Sequence, residues 1–263
     1  VAEAIYSRGS AAGKRVQALG GAKNHAVILP DADLENAANT LMGAAYGSCG
    51  ERCMAISVAV CVGDETADRL VETMLPKIAQ LKVGPATDKG LDMGPLVTAE
   101  HRDKVLGFIE DGVNAGASLV ADGRGLTVAG HEEGYFVGGC LFDNVTAEMR
   151  IYQEEIFGPV LSVLIFDDEA DALDQANAVD YGLAGYLWTR DVGRAHRVAG
   201  QMDAGMIWVN SENVRHLPTP FGGMKSSGMG RDGGDYSFDF YMETKNISIA
   251  TTDHRVPRLG LTN

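Results

Sequence analysis

The sequence predicts an α/β fold in which a mostly parallel sheet is flanked by helices. Short apolar or β-branched runs alternate with longer amphipathic segments along most of the 263 residues, which is the pattern of successive βαβ units. The run at 160–166 is apolar nearly throughout, as expected for a strand at the centre of a parallel sheet. By contrast, residues 211–234 are rich in Gly, Ser and Pro and show little periodicity, which is typical of a long functional or disordered loop.

The individual elements follow from local patterns. Residues 56–62 are rich in β-branched side chains and predict a strand. Residues 64–81 carry Leu70, Met74 and Ile78 at helical spacing and predict a helix. Further strands are predicted at 26–30, 118–121, 135–138, 160–166, 184–189 and 206–210. Further helices are predicted at about 34–46, with an Asp cap, and at 99–115, 169–178 and 192–202.

The composition disfavours several classes of protein. A net charge of −14 and a pI near 4.8 repel phosphate backbones and anionic lipid, so we expect no nucleic-acid and no membrane partner. No apolar run is long enough to cross a bilayer. The start at Val1 has neither an initiator Met nor signal-peptide character, which indicates a cut inside a longer chain. Four cysteines without regular spacing predict reduced thiols and a cytoplasmic location rather than a disulfide framework.

Cys53 is the strongest candidate for chemistry. It follows a glycine-containing bend and precedes the strand at 56–62. Arg52 beside it could favour the thiolate, and the amides of the turn could bind an oxyanion. Its position alone favours a buried structural cysteine, whereas the surrounding motif favours a nucleophile. Cys49 lies four residues earlier, but no His or second Cys pair is near enough in sequence to complete a tetrahedral site, so we predict no metal site.

Four segments resemble motifs of the aldehyde dehydrogenases, in the order of that family. Residues 50–55, Gly-Glu-Arg-Cys-Met-Ala, resemble the active-site cysteine motif. Residues 154–160, Glu-Glu-Ile-Phe-Gly-Pro-Val, and 220–228, Pro-Phe-Gly-Gly-Met-Lys-Ser-Ser-Gly, resemble two further signatures. Residues 17–22, Gln-Ala-Leu-Gly-Gly-Ala, occupy the place of a fourth. Any one motif alone would be weak, but four in order across nearly the whole chain make the resemblance specific.

The resemblance implies a mechanism and a site. Cys53 would attack an aldehyde carbonyl, and loss of a hydride to NAD would leave a thioester. Glu155 would hold the nicotinamide ribose hydroxyls, and Phe157 would pack beside the nicotinamide. The Cys53 N–H would be one oxyanion donor, whereas the family's second donor, an Asn side chain, belongs to the cofactor-side half. In the family, this cofactor-side half is the NAD-binding domain, and it precedes the position of Val1 in sequence. We therefore expect the NAD-binding domain to be absent from this chain.

The fourth motif departs from the pattern of most hydrolytic members. They carry a Glu where this chain has Ala18, and that Glu activates the water that releases the acyl group. Methylmalonate-semialdehyde dehydrogenases also lack it and pass the acyl group to coenzyme A (CoA), and residues 18–25 and 50–55 resemble that subfamily. A thiol acceptor needs less help from a base because it ionises more readily than water. The resemblance therefore implies NAD-dependent oxidation of a small acidic semialdehyde, with CoA as the acyl acceptor.

The C-terminal part resembles a different subfamily. From about residue 165 onward the sequence is similar to 5-carboxymethyl-2-hydroxymuconate-semialdehyde dehydrogenases, whereas residues 1 to about 160 resemble the methylmalonate-semialdehyde enzymes. We therefore form the hypothesis that the chain is a chimera joined near 155–166, a stretch that both families share. The alternative is one divergent dehydrogenase that mixes both patterns.

The remaining expectations concern substrate and assembly. Arg215 lies in the segment that lines the substrate tunnel in the family, where its guanidinium could bind a carboxylate, although a solvent-exposed Arg is an equal alternative. Phe221, in the third motif, is a second candidate for substrate binding. We expect a catalytic domain at 1–244 and an oligomerisation arm at 245–263, whose strand at 245–252 pairs with another copy of the chain. The rival hypothesis is a domain that folds but lacks dehydrogenase activity because the NAD-binding half is missing.

Overall fold

The computed structural model describes residues 1–212, 214 and 216–253. Its strands are β1 (Ala18–Leu19), β2 (Asn24–Ile28), β3 (Ile56–Val62), β4 (Ser118–Ala121), β5 (Cys140–Asp143), β6 (Val160–Phe166), β7 (Tyr181–Gly182), β8 (Ala184–Trp188), β9 (Met206–Val209), β10 (Met224–Lys225) and β11 (Gly228–Met229). Its α-helices are α1 (Ala2–Ala11), α2 (Leu34–Leu41), α3 (Asp64–Ile78), α4 (Ala99–Asn114), α5 (Arg150–Gln153), α6 (Glu169–Asn177), α7 (Val192–Ala199) and α8 (Gly234–Tyr241). A π-helical turn at Met42–Tyr46 and a 3₁₀ turn at Gly47–Gly50 connect α2 to the loop before β3.

A seven-stranded sheet organises this part of the chain, in the order β4-β5-β6-β3-β2-β8-β9. Only β4 runs antiparallel to its neighbour, and all other adjacent strands are parallel. Helices α3 and α6 both pack against β3 and β6. The predicted fold class, a mostly parallel sheet flanked by helices, is therefore confirmed. Among the described residues no helix is long and apolar enough to cross a membrane.

The parallel strands place four loops at one edge of the sheet. Strands β2, β3, β6 and β8 run in the same direction, so their first residues lie at the same edge. The segments that enter them are 20–23, 51–55, 154–159 and 183. Three of these segments come from the motifs identified in the sequence, so the fold gathers the motifs at the amino ends of the strands.

Several elements have the predicted bounds. The strands at 56–62, 118–121 and 160–166 occur as predicted. Asp33 caps α2 by accepting a hydrogen bond from the Asn36 N–H at 3.2 Å, as the Asp-rich start indicated. The helix predicted to 46 ends earlier, at Leu41, and gives way to the π-helical turn.

The strand predicted at 135–138 is wrong. The neighbouring sheet strand is β5, which starts at Cys140. The run before it pairs with other loops instead: the Gly138 N–H donates to the Gly123 carbonyl at 2.9 Å, and the Tyr135 carbonyl accepts from the Leu96 N–H at 2.9 Å. Gly123 and Gly138 touch along the backbone, and a side chain at Gly123 would collide with the Gly138 carbonyl. The hydrogen bonds of this run are therefore made with loop residues and not with a sheet strand.

The predicted strand at 245–252 is not a strand within the described chain. Residues 245–252 have no regular secondary structure, and Ile247 and Ile249 are 72% and 80% exposed. The pairing of segment 245–252 with another copy of the chain stays a prediction. Residues 254–263 of the predicted arm lie outside the described residues. Helix α8 was not predicted because it begins in a glycine-rich stretch and buries no residue.

A buried imidazole lies on β2 beside helix α5. His25 is 3% exposed, its Nδ1–H donates to the Lys23 carbonyl at 2.8 Å, and its ring packs edge-on against Tyr152. Its Nε2 has no hydrogen-bond partner among the described residues. Burial, together with the charge of Lys23, lowers the pKa of His25 to about 3, so the ring stays neutral in the folded protein.

We expect His25 to weaken the fold in acid. Between the unfolded pKa near 6.5 and the folded pKa near 3, the unfolded chain binds a proton that the folded protein does not. Stability is therefore lost as pH falls through this window, by up to about 1.4 kcal/mol per pH unit. Urea unfolding from pH 7 to pH 4 should show a shallower pH slope for His25→Gln than for the wild type. The exposed His131→Gln is the control, and equal slopes for His25→Gln and wild type would contradict this account.

Candidate active site

A cleft at the amino edge of the sheet brings the first two motifs together. Cys53, Glu155 and Phe157 all line it. Cys53 is exposed and unpaired with any other cysteine, whereas Cys49, Cys61 and Cys140 are buried. The N–H of Cys53 has no hydrogen-bond partner within the described residues. The accessible thiol of Cys53 therefore lines the same cleft as the Glu155 carboxylate and the Phe157 ring. The N–H of Cys53 lies next to this thiol and is available as a hydrogen-bond donor.

The bend before Cys53 has an unusual backbone. Ser48, Cys49 and Gly50 have φ values of 53°, 58° and 70°, so three consecutive residues are left-handed. Non-glycine residues rarely adopt this conformation, and such strain tends to occur at functional sites. The Cys49 thiol is turned inward, 2.9 Å from the Gly94 carbonyl, and burial raises its pKa to about 11. The two cysteines therefore do not share a face, and only Cys53 is available for chemistry.

Two side chains hold the loop that carries Cys53. The buried amide of Asn24, on β2, donates to the Cys53 carbonyl at 2.9 Å and the Ala55 carbonyl at 2.8 Å. Its oxygen accepts the Ala184 N–H at 3.1 Å, which ties the loop to β8 as well. The Tyr186 hydroxyl donates to the carbonyl between them, that of Met54, at 2.7 Å. Three successive carbonyls are thereby fixed, so the direction of the Cys53 side chain is set by the sheet.

Arg52 lies across the turn beside Cys53. Its Nε donates to Ser48 Oγ at 3.1 Å and its Nη1 to the Gly43 carbonyl at 3.4 Å. A Cβ at Gly47 would lie 2.6 Å from this guanidinium, so Gly47 leaves the space that Arg52 occupies. The carboxyl of Glu212 is close by: burial raises its pKa, and the charge of Arg52 partly offsets that effect. The Oε2 atom of Glu212 has no partner among the described residues.

Glu155 is held by the segment that precedes β2. Its Oε1 accepts the Ala22 N–H at 3.0 Å. A Cβ at Gly21 would lie 2.7 Å from its Oε2, so a larger residue at that position would displace this carboxylate. The buried Lys23 side chain donates to the carbonyls of Ile151 at 2.7 Å and Glu154 at 2.8 Å. Burial lowers the pKa of Lys23 to about 7, although Glu155 and Glu154 oppose this effect.

Phe157 has a left-handed backbone and a partly exposed ring. Its φ is 58° and its side chain is 37% exposed. The ring of His101, on α4, packs edge-on against it, and His101 Nε2 donates to the Phe157 carbonyl at 2.6 Å. The same nitrogen lies 3.4 Å from Glu51 Oε1, two residues before Cys53. His101 therefore joins the nucleophile motif to the second motif.

The third and fourth motifs pair with each other beside the cleft. Strand β1 at Ala18–Leu19 runs antiparallel to β11 at Gly228–Met229. The fully buried Ser227 hydroxyl donates to the Gly21 carbonyl at 2.8 Å and accepts the Gly182 N–H at 3.0 Å. Ala18 is buried in this pair and contributes a methyl group, which cannot accept a proton.

Of the two predicted substrate-binding residues, Phe221 is described, and it does not line the cleft that contains Cys53. Phe221 lines a separate cavity of about 310 Å³ together with Met206 and Trp208. Trp208 in turn stacks on Tyr186, with ring centroids 5.4 Å apart, so these rings connect the Phe221 cavity to the nucleophile loop. Arg215 lies outside the described residues. Substrate binding by either residue stays a prediction.

Sequence reasoning missed the residues that hold the loops. Asn24, Tyr186, His101 and Lys23 act over long sequence separations, and none belongs to the parts of the motifs that carry chemistry. One feature of the sequence could have indicated Asn24 and Lys23. These two polar residues stand at the start of an otherwise apolar strand, and buried polar groups need hydrogen-bond partners.

We expect Asn24→Asp to loosen the nucleophile loop. The substitution preserves shape but replaces the amide donor with an acceptor facing two carbonyl oxygens. Leaving these groups unsatisfied in a buried site should lower the free energy of unfolding by at least about 2 kcal/mol. Urea unfolding measures the loss, and hydrogen exchange should increase at residues 51–55. Asn246→Asp, at an exposed position, is the matched control; an Asn24→Asp protein as stable as the wild type would show that the amide does not anchor this loop.

Comparison with known proteins identifies the family of the chain. The sequence matches the aldehyde dehydrogenase family over residues 1–247. It is 56% identical over 232 residues to the malonate-semialdehyde dehydrogenase of Pseudomonas aeruginosa, covering 86% of this chain and 46% of that protein. It is 43% identical over 251 residues to malonate-semialdehyde dehydrogenase 2 of Oceanobacillus iheyensis, covering 94% of this chain and 51% of that protein.

A solved structure is similar over the same region. It is a proposed methylmalonate-semialdehyde dehydrogenase from Sinorhizobium meliloti 1021, complexed with NAD, with a TM-score of 0.91 and 47% identity over 93% of this chain and 50% of that one. The chain thus spans about half the length of the relatives it matches. The match of 247 residues, the identities and the shared motifs establish one conclusion: the chain belongs to the aldehyde dehydrogenase family.

Proposed function

We propose that this chain carries the nucleophile half of an NAD-dependent semialdehyde dehydrogenase that forms a thioester on Cys53. One observation carries the proposal: the accessible thiol of Cys53 shares a cleft with Glu155 and Phe157. The names of the similar proteins, malonate- and methylmalonate-semialdehyde dehydrogenase, support a small acidic semialdehyde as the substrate.

The residues present fit a bound nicotinamide riboside. Glu155 offers a carboxylate with a fixed position, as vicinal ribose hydroxyls require, and Phe157 offers a partly exposed ring beside it. When bound, NAD supplies the acceptor for a hydride. The adenosine side of the ligand would be held by residues outside this chain, since binding contacts are spread over the whole dinucleotide.

The chain's own residues account for the acyl transfer. The Cys53 thiolate attacks the aldehyde carbon, and the carbonyl oxygen becomes an alkoxide that the unpaired Cys53 N–H can stabilise. Loss of hydride from that carbon leaves a thioester. Ala18 offers no base to activate water for release of the acyl group, so we propose CoA as the acceptor. Attack by the CoA thiol on the thioester carbon gives an acyl-CoA and regenerates the Cys53 thiol.

Arg52 is the side chain that best fits recognition of an acidic aldehyde. Its guanidinium lies beside the nucleophile, and only two of its N–H groups have partners among the described residues, at Ser48 and Gly43. A guanidinium binds a carboxylate through charge-assisted hydrogen bonds. Glu212 shares its surroundings and would compete for the same charge.

A direct assay tests the reaction. In the protein expressed from its complete gene, we expect NAD reduction with malonate or methylmalonate semialdehyde to require CoA and to yield an acyl-CoA. Cys53→Ala should abolish it, because no other cysteine is accessible. Cys61→Ala removes a fully buried thiol and is the control. Rapid turnover without CoA, giving the free acid, would contradict CoA as the acceptor, and an active Cys53→Ala protein would contradict the nucleophile.

Substitution of Arg52 tests the substrate class. Arg52→Met should lower kcat/KM for an acidic semialdehyde by about ten- to a hundredfold, the loss of a charge-assisted hydrogen bond, while leaving an uncharged aldehyde of similar size nearly unaffected. Arg69→Met, on the exposed face of α3, is the control. Equal losses for both aldehydes would show that Arg52 only shapes the turn.

The alternative proposal is that the isolated chain folds without dehydrogenase activity. It is favoured by the chain's span of about half of its relatives, since NAD loses most of its affinity when half of its contacts are missing. The two proposals differ in one measurement on the isolated chain. Labelling of Cys53 by a thiol reagent, with no NAD binding at millimolar concentration, supports the alternative; NAD reduction by the isolated chain excludes it.

Three further proposals concern origin, assembly and location. The chimera hypothesis requires residues 1–160 and 165–247 to have different parents, and one parent that matches both halves equally well would contradict it.

The exposed Ile247 and Ile249 support association through 245–252, which a monomer in light scattering would contradict. Four free cysteines support a reducing, cytoplasmic compartment, which fractionation of the source cells would test.

A further inference from the structure

Lys23 is a buried amine that the proposed reaction does not use. It directly precedes β2, is 3% exposed, and its ammonium group points into the protein. Burying a charged amine is costly unless its donors are satisfied, so its partners indicate its purpose. They are two backbone carbonyls, those of Ile151 and Glu154, at 2.7 and 2.8 Å.

Both carbonyls belong to the end of α5. The last carbonyls of a helix have no partner within the helix, and a lysine can satisfy them. Helix α5 ends at Gln153, and Glu154 is its C-cap with an extended backbone. Lys23 therefore fixes the point at which the chain leaves the helix and enters the second motif.

The Glu154 contact acts directly on Glu155. The carbonyl that Lys23 holds belongs to the same planar peptide unit as the N–H of Glu155. Holding that plane fixes the direction of the N–Cα bond of Glu155, and so the position of the Cα atom that carries its side chain. The far end of the same side chain is held by the Ala22 N–H, one residue before Lys23, at 3.0 Å. Ala22 thus holds the carboxylate of Glu155, and Lys23 holds the backbone peptide that precedes it.

We infer that Lys23 is a positioning residue for Glu155, and that the carboxylate presented to the nicotinamide ribose depends on the two hydrogen bonds from Lys23 to α5. The inference rests on the proposed function for the role of the ribose, but the positioning itself is a property of the chain without NAD. Misplacement of a binding group by about 1 Å is enough to weaken its contribution strongly.

The first experiment measures positioning without NAD. Lys23→Met keeps the length and apolar stem but removes the donors. We expect amide hydrogen exchange at residues 154–158 to rise at least about tenfold, since local opening is limited by the contacts that hold a segment. Lys77→Met, which removes a lysine paired to Glu35 on another face, is the control and should leave 154–158 unchanged. Unchanged exchange in Lys23→Met would overturn the inference whatever the activity.

The second experiment asks whether Lys23 acts through Glu155. In the protein expressed from its complete gene, Lys23→Met should raise the KM for NAD by about tenfold and change kcat by less than about threefold, because ribose binding is lost equally from ground and transition states. In a Glu155→Ala background the same change should alter KM less than about twofold. An equal rise of KM in both backgrounds would overturn the inference, as would a lower melting temperature with KM unchanged.

The outcomes separate the inference from the proposed function. A wild-type protein that reduces no NAD, but whose residues 154–158 loosen in Lys23→Met, would refute the function and leave the positioning intact. Lys23→Gln, which retains an amide donor, serves if Lys23→Met does not fold, and it should show a smaller rise in exchange. If neither variant folds, Lys23 is required for the fold as a whole and the positioning inference is overturned.

Discussion

The hydrogen bonds of the short segment 21–24 support both halves of the cleft. Asn24 fixes the carbonyls around Cys53, whereas Ala22 and Lys23 fix Glu155 and the peptide before it. Adjacent residues entering a strand point to opposite sides, so Lys23 and Asn24 can reach different loops from neighbouring positions. The nucleophile loop and the carboxylate are thereby both held by the start of β2 and the residues that directly precede it. Neither loop needs regular structure of its own to hold its functional group.

The bend before Cys53 is stabilised by what surrounds it. Two successive non-glycine residues with a left-handed backbone, Ser48 and Cys49, are costly, and the structure must compensate elsewhere. Gly50 lies directly against the Gly158 carbonyl, where any side chain would collide, and Glu51 accepts the Val97 N–H at 3.2 Å and lies next to His101. The strained turn at 48–50 is thus packed between the second motif, residues 154–160, and the loop that leads into α4. The same contacts orient Phe157, so strain at the nucleophile and the pose of the aromatic ring are parts of one arrangement.

Much of the fold could be predicted from local patterns, and much of the site could not. Strands such as 56–62 and 160–166 have the predicted bounds because an apolar β-branched run has few alternatives to a central strand. Cys53, Glu155 and Phe157 were found through motifs, and the structure places them in one cleft. The positive φ of Phe157 leaves no trace in the sequence, because phenylalanine rarely adopts it. The anchors depend on contacts between distant residues, such as Asn24 with Ala184, which no local pattern encodes.

The cleft contains charged side chains of both signs, although the whole chain is strongly acidic. The chain carries a net charge of −14, which repels an acidic substrate at long range, although at physiological ionic strength this repulsion is screened beyond about 8 Å. For the acidic aldehyde proposed as substrate, recognition would therefore have to come from cations at contact distance. Lys23 cannot serve, because it is buried and its ammonium is committed to two carbonyls. Arg52 can, since it is exposed beside Cys53. Glu212 lies close to it and is partly desolvated, so the Glu212 carboxyl and a substrate carboxylate would compete for the same guanidinium. Under the proposed function, the balance between Arg52 and Glu212, rather than the net charge, would decide whether an acidic aldehyde binds beside the thiol.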